Sequence, residues 1–158
     1  MTNWCWAASV QSTIWNMTGE WPDQCEVVKE GLARSDCPNK GGYLWDIARA
    51  LIHWQLAPTI PLDGFESFDE VRDAIDHGRP VLVAAKYGSN PLLPPYTQWH
   101  SMVIHGYECS NNQEYVHVFN IRNCPPSGYG YTPTRKYNFE WFGHNGNWTI
   151  LDVVEVDR

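Results

Sequence analysis

Cys5 is the residue of this sequence best placed to act as a nucleophile. It directly precedes a run in which apolar residues recur at helical spacing, and Trp4 and Trp6 flank it. A thiol at the start of a helix faces free backbone N–H groups and the positive end of the helix dipole, both of which favour the reactive thiolate. We therefore predict a lowered pKa for Cys5. Taken alone, Cys5 is more typical of a buried cysteine that has only a structural role.

A histidine and an asparagine could complete a catalytic group with this cysteine. His100 stands at the start of a strand predicted over 101–107, directly after a proline-rich loop. Asn120 ends the next predicted strand, and the short polar connection between the two strands predicts that they pair. Pairing would bring Asn120 close to His100, where an amide oxygen could accept the imidazole N–H and fix its orientation. Asn123 is the rival for this third position.

Two further histidines lie in the same pair of predicted strands. His105 has the strand parity opposite to His100, and His117 is out of phase with Asn120. Both are therefore expected to face away from the cleft. The two rings could meet there and bind a metal, but ordinary packing or solvent contact is the favoured interpretation, and no metal site is predicted.

The elements that must position these residues form two blocks along the chain. Periodicity and capping signals predict four helices, over 5–17, over 24–33, after Gly41-Gly42 and from Ser67 to His77. Apolar runs then predict strands over 81–85, 101–107, 115–120 and 148–156. Helices followed by a mainly antiparallel sheet indicate an α+β fold, with a cleft where the helical half meets the sheet.

Composition limits the kinds of protein that this chain can be. Its 158 residues suit a single domain, and 43% hydrophobic against 18% charged residues can build a packed core. A net charge of −7 without a run of Lys or Arg argues against nucleic-acid binding. No apolar stretch approaches the roughly 20 residues of a membrane span, so no membrane partner is expected. The N-terminus resembles neither the basic nor the apolar part of a secretion signal.

The cysteine count is odd, so at least one of the five cysteines is free or pairs outside the chain. No Cys-x-x-Cys pair is present, which argues against a zinc ribbon. The spacing of Cys25 and Cys37 would allow one small disulfide loop, and Cys109 with Cys124 another, which leaves Cys5 over. Disulfide and thiol forms are equally compatible with the sequence, because the redox compartment does not follow from it.

Four segments in this order resemble a papain-like cysteine peptidase, in the compact form of bacterial and effector-type members. Residues 3–8, Asn-Trp-Cys-Trp-Ala-Ala, are similar to the nucleophile motif of the family, and residues 100–107 resemble its histidine strand, which ends in Gly-Tyr. Residues 37–45 resemble a segment in which a Gly-Gly pair binds substrate main chain, and Asn120 falls where the family has Asn or Asp. The resemblance extends from Trp4 to about residue 130.

This resemblance implies a papain-like fold as one domain over 1–158 and a site for a protein or peptide substrate. Cys5, His100 and Asn120 would form the catalytic triad of a thiol hydrolase that cleaves peptide bonds through an acyl-enzyme, without a metal or organic cofactor. Gly41 and Gly42 would bind the substrate backbone. Trp99 adjoins His100 and could form a wall of the site.

One departure from the family pattern concerns the oxyanion hole. The family uses a Gln a few residues before the nucleophile, at a position that lies ahead of residue 1 here. Either the start of the protein is missing from this sequence, or another donor such as Asn3 or Gln98 replaces the Gln, or turnover is impaired. The sequence is therefore compatible with three functions: peptide hydrolysis, deamidation or transglutaminase-like acyl transfer at the same triad, and a binding module that has lost turnover. A secreted or injected effector, or a fragment of a longer precursor, fits this pattern.

Overall fold

The computed structural model describes residues 3–60, 67–87, 99–119, 134–139 and 148–158. Within these ranges the chain forms four helices: α1 (Cys5–Thr18), α2 (Gln24–Leu32), α3 (Leu44–His53) and α4 (Phe68–Asp76). The strands of the same ranges are β1 (Ala57–Thr59), β2 (Val81–Tyr87), β3 (Trp99–Ser110), β4 (Gln113–Phe119), β5 (Thr134–Asn138) and β6 (Trp148–Asp157). They form one antiparallel sheet in the order β1-β6-β2-β3-β4-β5, which confirms the predicted α+β class. None of the helices in these ranges has the length and apolar character needed to cross a membrane.

Capping residues explain where the predicted helices begin and end. α1 stops at Gly19, whose φ of 79° lies in the left-handed region that glycine adopts without strain. Asp23 caps α2 by accepting the backbone N–H of Cys25 at 2.8 Å. Before α4, the N–H of Glu70 donates to Ser67 Oγ at 3.4 Å and the N–H of Ser67 donates to Glu70 Oε2 at 3.1 Å. This is the predicted capping box.

The sheet is covered on both faces, and neighbouring residues of each strand serve two separate cores. Helices α1, α2 and α3 pack on one face, where Leu82 and Val103 are among the buried residues of the sheet. Helix α4 packs on the other face, against residues such as Val83 and Met102. The sequence predicts one boundary between a helical half and a sheet, whereas the structure divides the helices between the two faces.

The β3–β4 hairpin turns at Asn111 and Asn112, whose φ values of 53° and 58° are left-handed. Asparagine tolerates this conformation better than most residues, which suits it to a tight hairpin turn. The hairpin confirms that the two predicted strands pair, and it sets Phe119 opposite Val103. Asn120, the next residue, lies outside the described residues.

The cysteines divide between one disulfide and free thiols. Cys25 and Cys37 are joined, which confirms the first pairing that the spacing allows. Cys109 is an exposed free thiol, so the second pairing, with Cys124, is wrong. Cys5 is also free, as a nucleophile must be.

Candidate active site

The Cys5 thiol lies where the start of α1 meets the start of β3. Backbone N–H groups of Ser101, Trp6 and Cys5 itself hydrogen-bond toward the sulfur, and each of them lowers the pKa of the thiol. Those of Cys5 and Trp6 belong to the first turn of a helix, whose N–H groups have no partner within the helix. That of Ser101 belongs to the residue that follows His100. The structure therefore brings Cys5 against the residue next to the candidate histidine.

Burial outweighs these N–H groups, so the pKa of Cys5 is raised rather than lowered. A thiolate that leaves water loses hydration, which favours the neutral thiol. The predicted lowering is therefore wrong, although the helix-terminal N–H groups on which it depended are present. At neutral pH the protein therefore holds Cys5 mainly as a thiol, which would need a base in order to act as a nucleophile.

We expect alkylation of Cys5 by iodoacetamide to accelerate with pH through a midpoint above the ordinary cysteine range. Only the thiolate reacts, and the raised pKa delays its formation as the pH increases. Mass spectrometry of the digested protein would give the rate at each pH, with the exposed thiol of Cys109 as a reference in the same sample. A Cys5 rate that is already maximal near neutral pH would contradict this expectation.

His100 is half-buried and occupies the second position of β3, opposite Ala85 in the register with β2. By strand alternation Ser101 belongs to the face of Val103, which α1 covers, and His100 to the face of Met102. Ser101, and not His100, is therefore the β3 residue whose strand position faces α1. Of the other predicted site residues, Asn120 and Gln98 lie outside the described residues, as does Asn123, and Trp99 is described only by its backbone in β3.

A segment that we call the strap, residues 37–42, lies against the start of α1. Four hydrogen bonds tie it to residues that flank Cys5. They are Asn3 N to Asn39 Oδ1 at 2.6 Å, Asn3 Nδ2 to Asn39 O at 3.2 Å, Trp4 Nε1 to Pro38 O at 3.0 Å and Trp6 Nε1 to Lys40 O at 3.1 Å. The strap therefore lies beside Cys5 and forms a border of the candidate site. Because Asn3 Nδ2 already donates to the strap, Asn3 is poorly placed to replace the oxyanion donor.

The indole of Trp6 is held between two glycines. A Cβ at Gly42 would lie 2.5 Å from Trp6 Cδ2, and a Cβ at Gly31 of α2 would lie 2.7 Å from Trp6 Cη2. Gly41 differs, because it is exposed and a Cβ there would meet nothing within 4 Å. The substrate-binding role predicted for Gly41 and Gly42 stays a prediction. The structure adds a packing role for Gly42 that its sequence motif does not indicate.

Two aromatic residues next to the strap were missed as site candidates, because tryptophans in such a chain are expected in the core. Tyr43 and Trp45 follow Gly42, and their exposed fractions are 81% and 73%. Trp45 lies on the outer side of α3, whose buried residues include Ile47 and Leu51. A large aromatic side chain outside the apolar stripe of α3 is the sequence signal that could have identified Trp45.

His105 and His117 do meet, with ring centroids 6.4 Å apart. By strand alternation both lie on the sheet face of Val103, where α1 packs. The prediction that they face away from the helical half is therefore wrong. Nε2 of His117 lies 3.6 Å from Glu108 Oε2, and the other oxygen of Glu108 accepts from Lys136 Nζ at 2.7 Å. Among the described residues no group of three or more His, Cys, Asp or Glu side chains is arranged to hold a metal ion.

Acid is expected to destabilise the protein through this histidine pair. Desolvation, and then the charge of His117, lower the pKa of His105 below its ordinary value of about 6.5. The folded state thus binds fewer protons, so the stabilisation is complete above that value and is lost as the pH falls below it. Urea unfolding between about pH 7 and 5 should show this loss, and His105→Gln should flatten the profile. An equally steep profile in that variant would contradict the assignment.

The fold and the site together define a class of protein. It is an α+β protein with a cysteine at the start of its first helix, α1, and a histidine at the start of the adjoining strand β3. The chain matches the family model described as Peptidase_C39 like family over residues 1–121, which is most of its length. It belongs to this family, which is related to the papain-like cysteine peptidases. No curated protein matches the chain.

Proposed function

We propose that this protein is a thiol hydrolase that cleaves peptide bonds, with Cys5 as the nucleophile, His100 as the proton carrier and Asn120 as the residue that orients His100. One observation carries the proposal: the N–H of Ser101, the residue after His100, hydrogen-bonds toward the sulfur of Cys5. Membership of a cysteine peptidase-related family supports the same reaction class.

The raised pKa of Cys5 favours a mechanism in which the proton moves as the sulfur attacks. His100 takes the thiol proton while the sulfur bonds to the carbonyl carbon of the substrate. The C–N bond then breaks, and His100 delivers the proton to the leaving amine. Water hydrolyses the resulting thioester, which releases the acid product and restores the thiol of Cys5. Asn120 accepts the other ring N–H of His100 and holds the ring in one orientation.

The negative charge that develops on the substrate oxygen needs hydrogen-bond donors. The backbone N–H groups of Cys5 and Trp6 lie at the free end of α1 and already point toward the sulfur. They supply the first part of an oxyanion hole. A side-chain donor, for which Gln98 is one candidate, would supply the second.

The strap gives the substrate a main-chain partner. Gly41 is exposed and has open space above its Cα, so an extended peptide can approach its backbone. Gly42 lines the same border, and the exposed Tyr43 and Trp45 extend it. On the side of His100, Trp99 is proposed as a wall of the site. A protein or peptide is therefore the proposed substrate.

Product analysis tests this function directly. The purified protein would be incubated with a mixture of unstructured peptides, and mass spectrometry would detect fragments with new termini. Protein alkylated at Cys5 with iodoacetamide serves as the inactive control. Ammonia release without fragments would favour the deamidase alternative, and intermolecular cross-links would favour acyl transfer. A Cys5 that alkylates readily but gives no product would favour the binding module and contradict the proposal.

A further inference from the structure

The strap is anchored covalently at one end. Cys37 is bonded to Cys25 in the first turn of α2, and Cys37 is also packed against the hydrophobic core. At its other end the strap leads through Tyr43, the N-cap residue, into α3. The position of the strap beside Cys5 therefore depends on the Cys25–Cys37 disulfide, which lies outside both α1 and the sheet.

We infer that the Cys25–Cys37 disulfide is a positioning element of the active site, and that a dithiol which reduces it lowers turnover without reacting at Cys5. This inference rests on the proposed function. In the reduction the S–S bond breaks and thiols form at Cys25 and Cys37. The dithiol supplies both electrons and both protons and becomes a disulfide itself.

The hydrogen bonds of the strap need this anchor. The two hydrogen bonds to Asn3 are exposed, so water competes for them, whereas the two indole hydrogen bonds are part-buried. These bonds also join residues 34 to 36 positions apart in the chain, so each must offset the entropy of holding two distant segments together. The short loop closed by the disulfide removes part of that freedom in advance.

The groups that act on the sulfur of Cys5 are not the groups that anchor the strap. The N–H groups that act on Cys5 come from α1 and β3. Opening the disulfide therefore leaves the environment of the sulfur in place while it releases the border that holds the substrate. Loss of the disulfide should therefore weaken substrate positioning while the reactivity of Cys5 is unchanged.

The test compares two proteins. The reference carries Cys109→Ser and Cys124→Ser, so that Cys5 is its one free thiol, and the variant adds Cys25→Ser and Cys37→Ser. We expect kcat/KM for a cleaved peptide to fall roughly 10- to 100-fold in the variant, as misplacement of a substrate-positioning segment can cause. The rate of Cys5 alkylation should stay within about twofold. The indole N–H groups of Trp4 and Trp6 should exchange faster with solvent, as measured by NMR.

The outcomes are separable. Unchanged protection of both indoles overturns the inference, whatever happens to turnover, and so does an unchanged kcat/KM. If the reference has no turnover although the variant loses indole protection, peptide hydrolysis is rejected and control of the strap by the disulfide is supported. If the variant does not fold, oxidised reference protein treated with a dithiol supplies the same comparison.

Discussion

Replacing His100 by Ala is expected to lower kcat/KM for peptide hydrolysis by roughly 10³-fold or more. In the proposed mechanism the neutral thiol that burial maintains at Cys5 needs a base during attack, and the leaving amine needs an acid. His100 adjoins the residue whose N–H acts on the sulfur, so its removal takes away both functions. Initial rates with a fluorogenic peptide, on protein with unchanged far-UV circular dichroism, would measure the loss.

His105→Ala is the matched control for this variant. His105 lies five residues further along the same strand, where its ring centroid is 6.4 Å from that of His117. Its replacement should leave kcat/KM within about twofold at pH 8, where the ring of His105 is neutral in the intact protein. A greater loss in His105→Ala than in His100→Ala, with both proteins folded, would show that the wrong histidine has been assigned to the site.

Gly42→Ala is expected to destabilise the protein by about 2–3 kcal/mol and to reduce kcat/KM roughly 10-fold or more. The new methyl group would lie 2.5 Å from the ring of Trp6, and the ring cannot retreat because Gly31 contacts its other end. Trp6 must then move, and with it the hydrogen bond to Lys40 at 3.1 Å and the start of α1. Urea denaturation and steady-state kinetics would measure the two effects.

Gly41→Ala separates packing from substrate binding. The added methyl group meets nothing within 4 Å, so the free energy of unfolding should change by less than about 0.5 kcal/mol. Any effect of Gly41→Ala on catalysis should then appear in KM, because the methyl group narrows the approach to the strap. Equal destabilisation by the two substitutions would contradict the packing role of Gly42.

Local signals in the sequence predict most of the secondary structure. The capping box at Ser67 and the glycine after α1 set helix ends through contacts between near neighbours, so a sequence pattern contains them in full. The β3–β4 pairing also follows from a short turn. The strands β1 and β5 were not predicted, because Ala57–Thr59 and Thr134–Asn138 are short and lack an apolar run.

Features that depend on distant segments did not follow from the sequence. The motif around Cys5 predicts N–H groups near the sulfur, but the burial that raises its pKa exists only once the chain is folded. The N–H of Ser101 that acts on the sulfur also comes from β3, about a hundred residues away in the chain. The contact of Gly42 with Trp6 likewise joins two segments whose sequences contain no sign of each other. The packing of α4 on the opposite sheet face depends on which side chains of β2 and β3 point to that face once the two strands are paired.

The position of β6 within the sheet limits the order in which the fold can assemble. β6 contributes Val154 and Val156 to the core and lies between β1 and β2, although it follows both of them, and β3 and β4, along the chain. In this strand order β1 reaches β2 only through β6, so the two strands stay apart until β6 joins them. Completion of the sheet on which α1 packs therefore waits for the slow closure of contacts between distant residues, during synthesis as well as during refolding.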